Sequence, residues 1–242
     1  MKYPVTLGLL LLASPLSAQD SVPAEKRLKF TSDVSFVNTG GNTDVLTLGL
    51  SDKIEWKAAP RFLVRQEFRW DYGETEGEKS ANALLLGVRG EYLLTSRLSL
   101  FAGVVYDYNL FAGVKRHFAE TVGLGFLALD AARDKLRLEV GVSANQEWEL
   151  LQNSANNFTT GRLAGDYKHL FGEKAYFQQI VEYIPNFDQS ADYRFNTETA
   201  LVAPITGGVA IKVGYVVRYR GEPPEGFGTT DTTFRTGIQI TN

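Results

Sequence analysis

Apolar and polar residues alternate along the segment from Leu136 to Trp148, and this two-residue rhythm constrains the fold more than any motif does. The alternation places Leu138, Val140 and Val142 on one face of a β-strand and charged or small residues on the other. Similar segments recur about twelve times, and each has the roughly 10–13 residues that a tilted strand needs to cross the hydrocarbon layer of a bilayer. The sequence therefore predicts an all-β fold, a closed antiparallel transmembrane β-barrel of about twelve strands.

The boundaries of the predicted strands follow from the same alternation. They are about 27–38, 43–56, 61–72, 81–93, 97–109, 118–129, 136–148, 157–169, 175–185, 192–202, 208–219 and 230–241. The connections after even-numbered strands are mostly short, and those after odd-numbered strands tend to be longer, such as 73–79 and 221–229. This asymmetry and an even strand number are typical of bacterial outer-membrane barrels. A soluble β-sandwich is less consistent with these strands, because sandwich strands usually have about five or six residues.

Aromatic residues lie near both ends of the predicted strands, as expected for rings at the two membrane interfaces. The expected outer girdle comprises Trp70, Tyr72, Tyr106, Tyr108, Trp148, Tyr193 and Tyr219, and the inner girdle comprises Trp56, Phe62 and Tyr92.

The N-terminus has the three-part pattern of a secretory signal. A basic Lys2 precedes an apolar run over 5–16, and Ser17-Ala18-Gln19 follows. We predict a signal peptide over 1–18 with cleavage after Ala18, a short periplasmic segment over 19–26 and the barrel over 27–242. The predicted location is the bacterial outer membrane.

Composition excludes several other classes of protein. Lys and Arg total 25 against 28 Asp and Glu, a formal net charge of −3, so no basic excess favours binding to nucleic acid. The chain has no cysteine, which excludes disulfides, thiol catalysis and a lipid-modified cysteine. After the signal peptide, no apolar run approaches the roughly 18 residues of a transmembrane helix.

The predicted inward faces carry charges of both signs. The residues predicted to line the lumen are Arg61, Arg65, Glu67, Arg69, Asp71, Arg89, Glu91, Asp107, Arg137, Glu139, Arg194, Glu198, Lys212, Arg218 and Arg235. Charges enclosed in a barrel must be paired or hydrated. Two arrangements remain open, a salt-bridged network that fills the lumen and an electrostatically lined pore. Arg61, Arg65 and Arg69 share one inward row and give it a weak preference for anions.

The sequence does not predict an enzyme. A hydrolase needs a nucleophile, a base and an orienting group that meet in space. Its two histidines fall near opposite ends of the barrel, with His117 near an outer loop, where we expect it to be exposed, and His169 near an inner turn. The acidic residues of 73–79 and 222–225 are expected to be solvated rather than to bind calcium. No cofactor or metal site is predicted, and no outer loop is long enough to form an obvious plug.

Three segments resemble the YdiY-like salt-induced outer-membrane proteins, a family of unknown function. These are the Gly-Asn-Thr turn within 35–44, the glycine-aromatic strand over 121–126, and the last loop and strand over 219–226 and 231–233. The resemblance covers nearly the whole mature chain and implies residence in the outer membrane, without implying a reaction. The chain departs from the usual aromatic end of such barrels, since it ends in Thr241-Asn242, which weakens the inference of recognition by the barrel-assembly machinery.

These observations favour a narrow passive channel or an envelope protein linked to salt stress. The alternative is a surface adhesin or receptor that acts through its outer loops. The expected partners are outer-membrane lipid and lipopolysaccharide, the barrel-assembly machinery during biogenesis, and small ions, but not nucleic acid.

Overall fold

Twelve β-strands form one closed antiparallel barrel in the computed structural model, which describes residues 27–40, 45–75, 78–152, 154–172 and 174–242. The strands are β1 Leu28–Gly40, β2 Val45–Ala59, β3 Phe62–Thr75, β4 Glu78–Leu93, β5 Leu98–Asn109, β6 Val114–Asp130, β7 Asp134–Glu149, β8 Asn156–Phe171, β9 Ala175–Ile184, β10 Arg194–Thr206, β11 Val209–Arg220 and β12 Thr230–Thr241. The predicted signal peptide and periplasmic segment lie outside the described residues. A 3₁₀ turn, Leu110–Ala112, follows β5.

Each strand pairs with its sequence neighbours, and β1 pairs with β12 to close the ring. The register at this seam runs from Thr31 opposite Thr241 to Gly40 opposite Thr232. We call the end of the barrel with the short connections after even-numbered strands the turn end, and the opposite end the loop end. The closed ring leaves no unpaired sheet edge, which is the condition for a sheet to span a bilayer.

The alternation in sequence becomes two different surfaces. Apolar residues of every strand from β2 to β12 point outward, among them Val122, Val140 and Leu163, whose exposed fractions are 55%, 51% and 52%. Charged residues of the same strands point inward, as shown by ion pairs between strands that are not neighbours in the ring. A water-soluble barrel would have the opposite distribution, so this surface is that of a transmembrane barrel.

The predicted strand boundaries are confirmed to within about four residues. At the turn end, β10 ends four residues later than expected; at the loop end, β6 begins four residues earlier than expected, and β3 and β4 include most of the predicted loop 73–79. The backbone pairing continues there through Glu74 and Lys79 after a register shift at Gly73. The sequence does not show such extensions, because strand ends outside the membrane need no apolar face and therefore lack the alternation of apolar and polar residues.

The predicted outer girdle appears as three groups of rings in contact near the loop end. Trp70 stacks on Tyr72, while Phe118 contacts both Tyr106 and Trp148. Tyr193 contacts both Tyr183 and Tyr219. Within the described part of the chain, no helix is long and apolar enough to cross a membrane.

Candidate functional site

The lumen contains the candidate site, and the structure places all but one of the predicted lumen residues on strands. Arg61 lies instead in the turn between β2 and β3, where its side chain is exposed. The expected row of three arginines therefore contains only Arg65 and Arg69 on β3. Inward charges other than these candidates also take part in ion pairs, among them Asp33, Glu147, Arg162 and Arg220.

A network centred on Glu91 and Glu139 covers one wall of the lumen. Glu91 has no exposed surface and accepts hydrogen bonds from Arg65 and from Arg137, the latter at 2.6 Å. Glu139 accepts hydrogen bonds from Arg89 at 2.7 and 2.9 Å, and from Arg137 at 2.7 Å. Arg162 extends the network, because it bonds Glu139 and Glu182, each at 2.6 Å. We call these residues the Glu91–Glu139 network.

Small residues on β5 and β6 create the space for this network. Arg89 on β4 reaches Glu139 on β7 across the two strands between them. A Cβ on Gly125 would lie 2.8 Å from the Arg137 guanidinium carbon, and one on Gly123 would lie 2.6 Å from the Phe101 ring. The Arg89 guanidinium lies 3.6 Å from the centre of that same ring, a cation–π contact. These glycines thus allow long side chains to lie flat against the wall.

A second group of buried polar residues lies near the loop end and includes His117. Our expectation of an exposed loop histidine is wrong: His117 belongs to β6 and is 9% exposed, because that strand begins at Val114. Its Nδ1 lies 2.8 Å from Asp107, and its Nε2 lies 3.2 Å from the Asn145 Oδ1. The amide nitrogen of Asn145 donates to Thr160 at 3.0 Å, which directs its oxygen toward the ring.

This arrangement gives His117 no hydroxyl nucleophile. Both of its ring nitrogens face partners other than a serine or threonine, whereas a nucleophile must bond directly to the base. His169 lies at the turn end with Asp134 at 2.7 Å, so the two histidines lie at opposite ends, as predicted. Among the described residues, no group of three or more His, Cys, Asp or Glu is arranged to hold a metal ion.

Ion pairs tie the loop-end mouth together. Glu147, which is 1% exposed, lies 2.9 Å from both Arg194 and Arg220. Arg220 also lies 2.9 Å from Asp192 and 3.5 Å from Glu149. These contacts join the ends of β7 and β11 and the connection before β10.

The connection 221–229 crosses this mouth. It begins after β11, and its Pro224 and Phe227 reach Gly113, which follows β5 on the other side of the ring. A Cβ on Gly113 would lie 2.8 Å from side-chain atoms of both residues, and the φ of this glycine is +78°. The sequence predicts no outer loop long enough to form an obvious plug, and it does not reveal that this short connection reaches across the narrow mouth.

The opposite wall of the lumen, formed by β1–β3 and β10–β12, has fewer paired charges. Arg235 lies 3.0 Å from Asp71, and Lys212 lies 3.1 Å from Asp33. A cavity of about 30 Å³ opens between these pairs, and Arg69 also lines it. A volume of this size holds a water molecule or a small anionic group rather than a whole ligand.

Comparison with known proteins gives one family and several similar folds. The model of a family described as protein of unknown function, DUF481, matches residues 32–241. The uncharacterized protein YdiY of Escherichia coli strain K12 is 26% identical over 148 residues, which are 61% of this chain and 57% of that protein. The match therefore spans little more than half of that relative.

The solved structures with similar folds are outer-membrane barrels. The NanC porin has a TM-score of 0.56 at 12% identity, covering 86% of this chain and 98% of that one. The KdgM porin, solved in complex with disordered oligogalacturonate, has a TM-score of 0.51 at 13% identity, covering 87% and 98%. The translocator domain of the autotransporter NalP from Neisseria meningitidis has a TM-score of 0.53 at 9% identity, covering 90% and 89%. At these identities the similarity shows the fold alone.

Proposed function

From the premise that this chain belongs to the DUF481 family of proteins of unknown function, we propose that it is a narrow passive channel of the bacterial outer membrane. The observation that carries this proposal is the pairing of an apolar outer surface with a charged lumen in one closed barrel. Lipid contacts the first surface, and water and ions the second. We propose no enzymatic activity.

The distribution of charge supports a path along one side of the lumen. The Glu91–Glu139 network covers the wall formed by β3–β9, with buried and mutually bonded groups. The opposite wall carries the cavity lined by Arg69 and Arg235. A solute would pass where the charged groups retain access to water, so we place the path beside β1–β3 and β10–β12.

The loop-end mouth limits this path. The connection 221–229 contacts Gly113 across the opening, which predicts a small conductance that rises when the loop detaches. The same contact weakens the adhesin alternative, because a loop that packs across its own barrel exposes less surface to a partner. A role in salt stress, export through a cleaved signal peptide, and contacts with lipopolysaccharide and the assembly machinery stay predictions.

Single-channel recording tests the proposal. The purified chain, refolded and checked by heat-modifiable gel migration, is inserted in planar bilayers across a potassium chloride gradient. We expect discrete current steps and a reversal potential whose sign indicates selectivity for anions, because guanidinium groups line the proposed path. Folded protein that leaves the bilayer silent contradicts the channel and favours an envelope-strengthening barrel. Heat-denatured protein is the control for leakage.

A further inference from the structure

Arg69 and Arg218 differ from the other lumen-facing arginines of the described strands. Arg65, Arg89, Arg137, Arg162, Arg194, Arg220 and Arg235 each have a carboxylate partner. Among the described residues, Arg69 and Arg218 have neither an ion pair nor a side-chain hydrogen bond with the protein. Because an enclosed charge is costly without a partner, these two guanidinium groups require water or an anion.

Arg235 gives a second observation in the same place. One of its terminal nitrogens lies 3.0 Å from Asp71, but its Nε is buried without an acceptor. Arg69, Arg235 and Lys212 line the same cavity of about 30 Å³, together with Asp33 and Asp71, which pair with Lys212 and Arg235. The cavity beside Arg69 and Arg235 is large enough for a small anionic group.

The charges on this wall nearly balance, but two guanidinium groups have no carboxylate next to them. Arg218 is repelled by both Arg69 and Arg235, which places the three guanidinium groups within electrostatic range of one another. Asp71 pairs with Arg235, Glu198 lies 3.8 Å from Lys212, and Asp231 lies opposite Arg218 in the β11–β12 register. Among the described residues, no carboxylate oxygen lies within 4.0 Å of a guanidinium nitrogen of Arg69 or Arg218.

Small residues form the floor beneath these groups. Ser35 on β1, Gly49 on β2 and Gly237 on β12 line the cavity without long side chains. A Cβ on Gly237 would lie 2.6 Å from the Ser35 Cα, so the backbone itself lies close to the neighbouring strand. The floor therefore keeps the cavity open between β3 and β12.

We propose that Arg69, Arg218 and Arg235 form a binding site for the carboxylate group of a small solute in the lumen. A guanidinium group offers a planar fork of donors that matches the two oxygens of a carboxylate. The cavity lined by Arg69 and Arg235 accommodates that group, Arg218 acts on it through its nearby charge, and the rest of the solute lies in the lumen. The inference rests on the proposed channel for the route by which the solute arrives, whereas binding itself requires no conduction.

Equilibrium binding tests the site independently of any current. The refolded barrel in detergent is heated with sodium glucuronate, and with glucose in sodium chloride of the same ionic strength. A ligand at free concentration L that binds only the folded state stabilises it by RT ln(1 + L/Kd), so the unfolding midpoint rises with the logarithm of a saturating concentration. We expect glucuronate to raise the midpoint and glucose to leave it unchanged. An equal response to both solutions overturns the proposal.

Variants separate the site from a general effect of charge. Arg69→Gln combined with Arg218→Gln is expected to abolish the glucuronate shift. The same double variant is expected to raise the midpoint without any added carboxylate, because two repelling, unpaired charges are removed. Lys29→Gln removes a positive charge from the exposed start of β1 and is expected to keep the full shift. A double variant that keeps the shift, or that lowers the midpoint in sodium chloride, contradicts the site.

The two proposals fail in different ways. A silent bilayer with a retained glucuronate shift removes the channel and leaves the carboxylate site in place. Discrete currents without a glucuronate shift remove the site and leave the channel.

Discussion

Glu91 is the residue whose loss should cost the barrel most. It is enclosed with no exposed surface, and Arg65 and Arg137 both bond to it. We expect Glu91→Gln to lower the free energy of unfolding by about 3–5 kcal/mol, because loss of the carboxylate charge leaves the enclosed guanidinium groups of Arg65 and Arg137 without their partner. Urea unfolding of the barrel in lipid vesicles, followed by fluorescence of its three tryptophans, measures this change.

Glu67→Gln is the matched control for this prediction. Glu67 also faces the lumen, but it lies 3.7 Å from Lys53 and both side chains are about half exposed. An exposed pair of this kind contributes about 0–1 kcal/mol, so the control should be nearly neutral. Equal losses in the two variants would show that enclosure does not determine the energy of these pairs.

At this scale the sequence predicts which residues face inward but not which of them meet. The alternation places Arg89 and Glu139 on inward faces, yet their contact depends on Gly123 and Gly125 between them. His117 is a harder case, because its strand begins in a polar stretch where the alternation is weak. The sequence does not reveal that Arg69 and Arg218 lack ion pairs, because this depends on which carboxylates the other arginines contact in the fold.

At the scale of elements, strand β8 shows how the alternation of apolar and polar residues can be interrupted while the strand itself continues. Gly161 interrupts its outward apolar face, but Phe187 from the connection after β9 covers that position from outside. A Cβ on Gly161 would lie 2.8 Å from the Phe187 ring, and backbone bonds of 2.9 Å hold the connection against β8. The apolar group thus comes from another part of the chain, which no local pattern reveals.

The connection 221–229 is the element whose removal from the mouth should change function. Phe227→Ala takes away the ring that meets Gly113, and we expect larger single-channel currents with a change of only about 1 kcal/mol in the free energy of unfolding. Arg220 still pairs with Asp192 and Glu147 in this variant, so the base of the loop remains attached.

Phe187→Ala is the appropriate control for the loop. It removes a ring of the same size from a connection at the same end, but this ring is 61% exposed and lies over the outer wall of β8. Currents that rise equally in both variants would indicate general loosening of the loop end, and currents unchanged in Phe227→Ala would show that the loop does not limit passage.

At the scale of the whole molecule, closure depends on the seam between the first and last strands. Thr31 to Val34 pair with Ile238 to Thr241, and the Asn242 side chain accepts a hydrogen bond of 2.9 Å from the Phe30 amide. Gln239 adds bonds of 3.0 Å to both Tyr176 and Asp33 inside the lumen. Ile238 to Thr241 thus belong to the closing strand, as the length of the last alternating segment predicts.

Removal of 238–242 should therefore prevent the barrel from closing. The deletion exposes backbone groups of β1 and β11 at an edge within the hydrocarbon layer, where each unsatisfied group costs several kcal/mol. We expect this truncated chain to yield no heat-modifiable species on refolding. Removal of Asn242 alone leaves the strand pairs from Thr31 onward and should yield a folded barrel with a slightly lower unfolding midpoint. A heat-modifiable band from the longer deletion would mean that the remaining seam pairs, from Ser35 opposite Gly237 to Gly40 opposite Thr232, are enough to close the barrel.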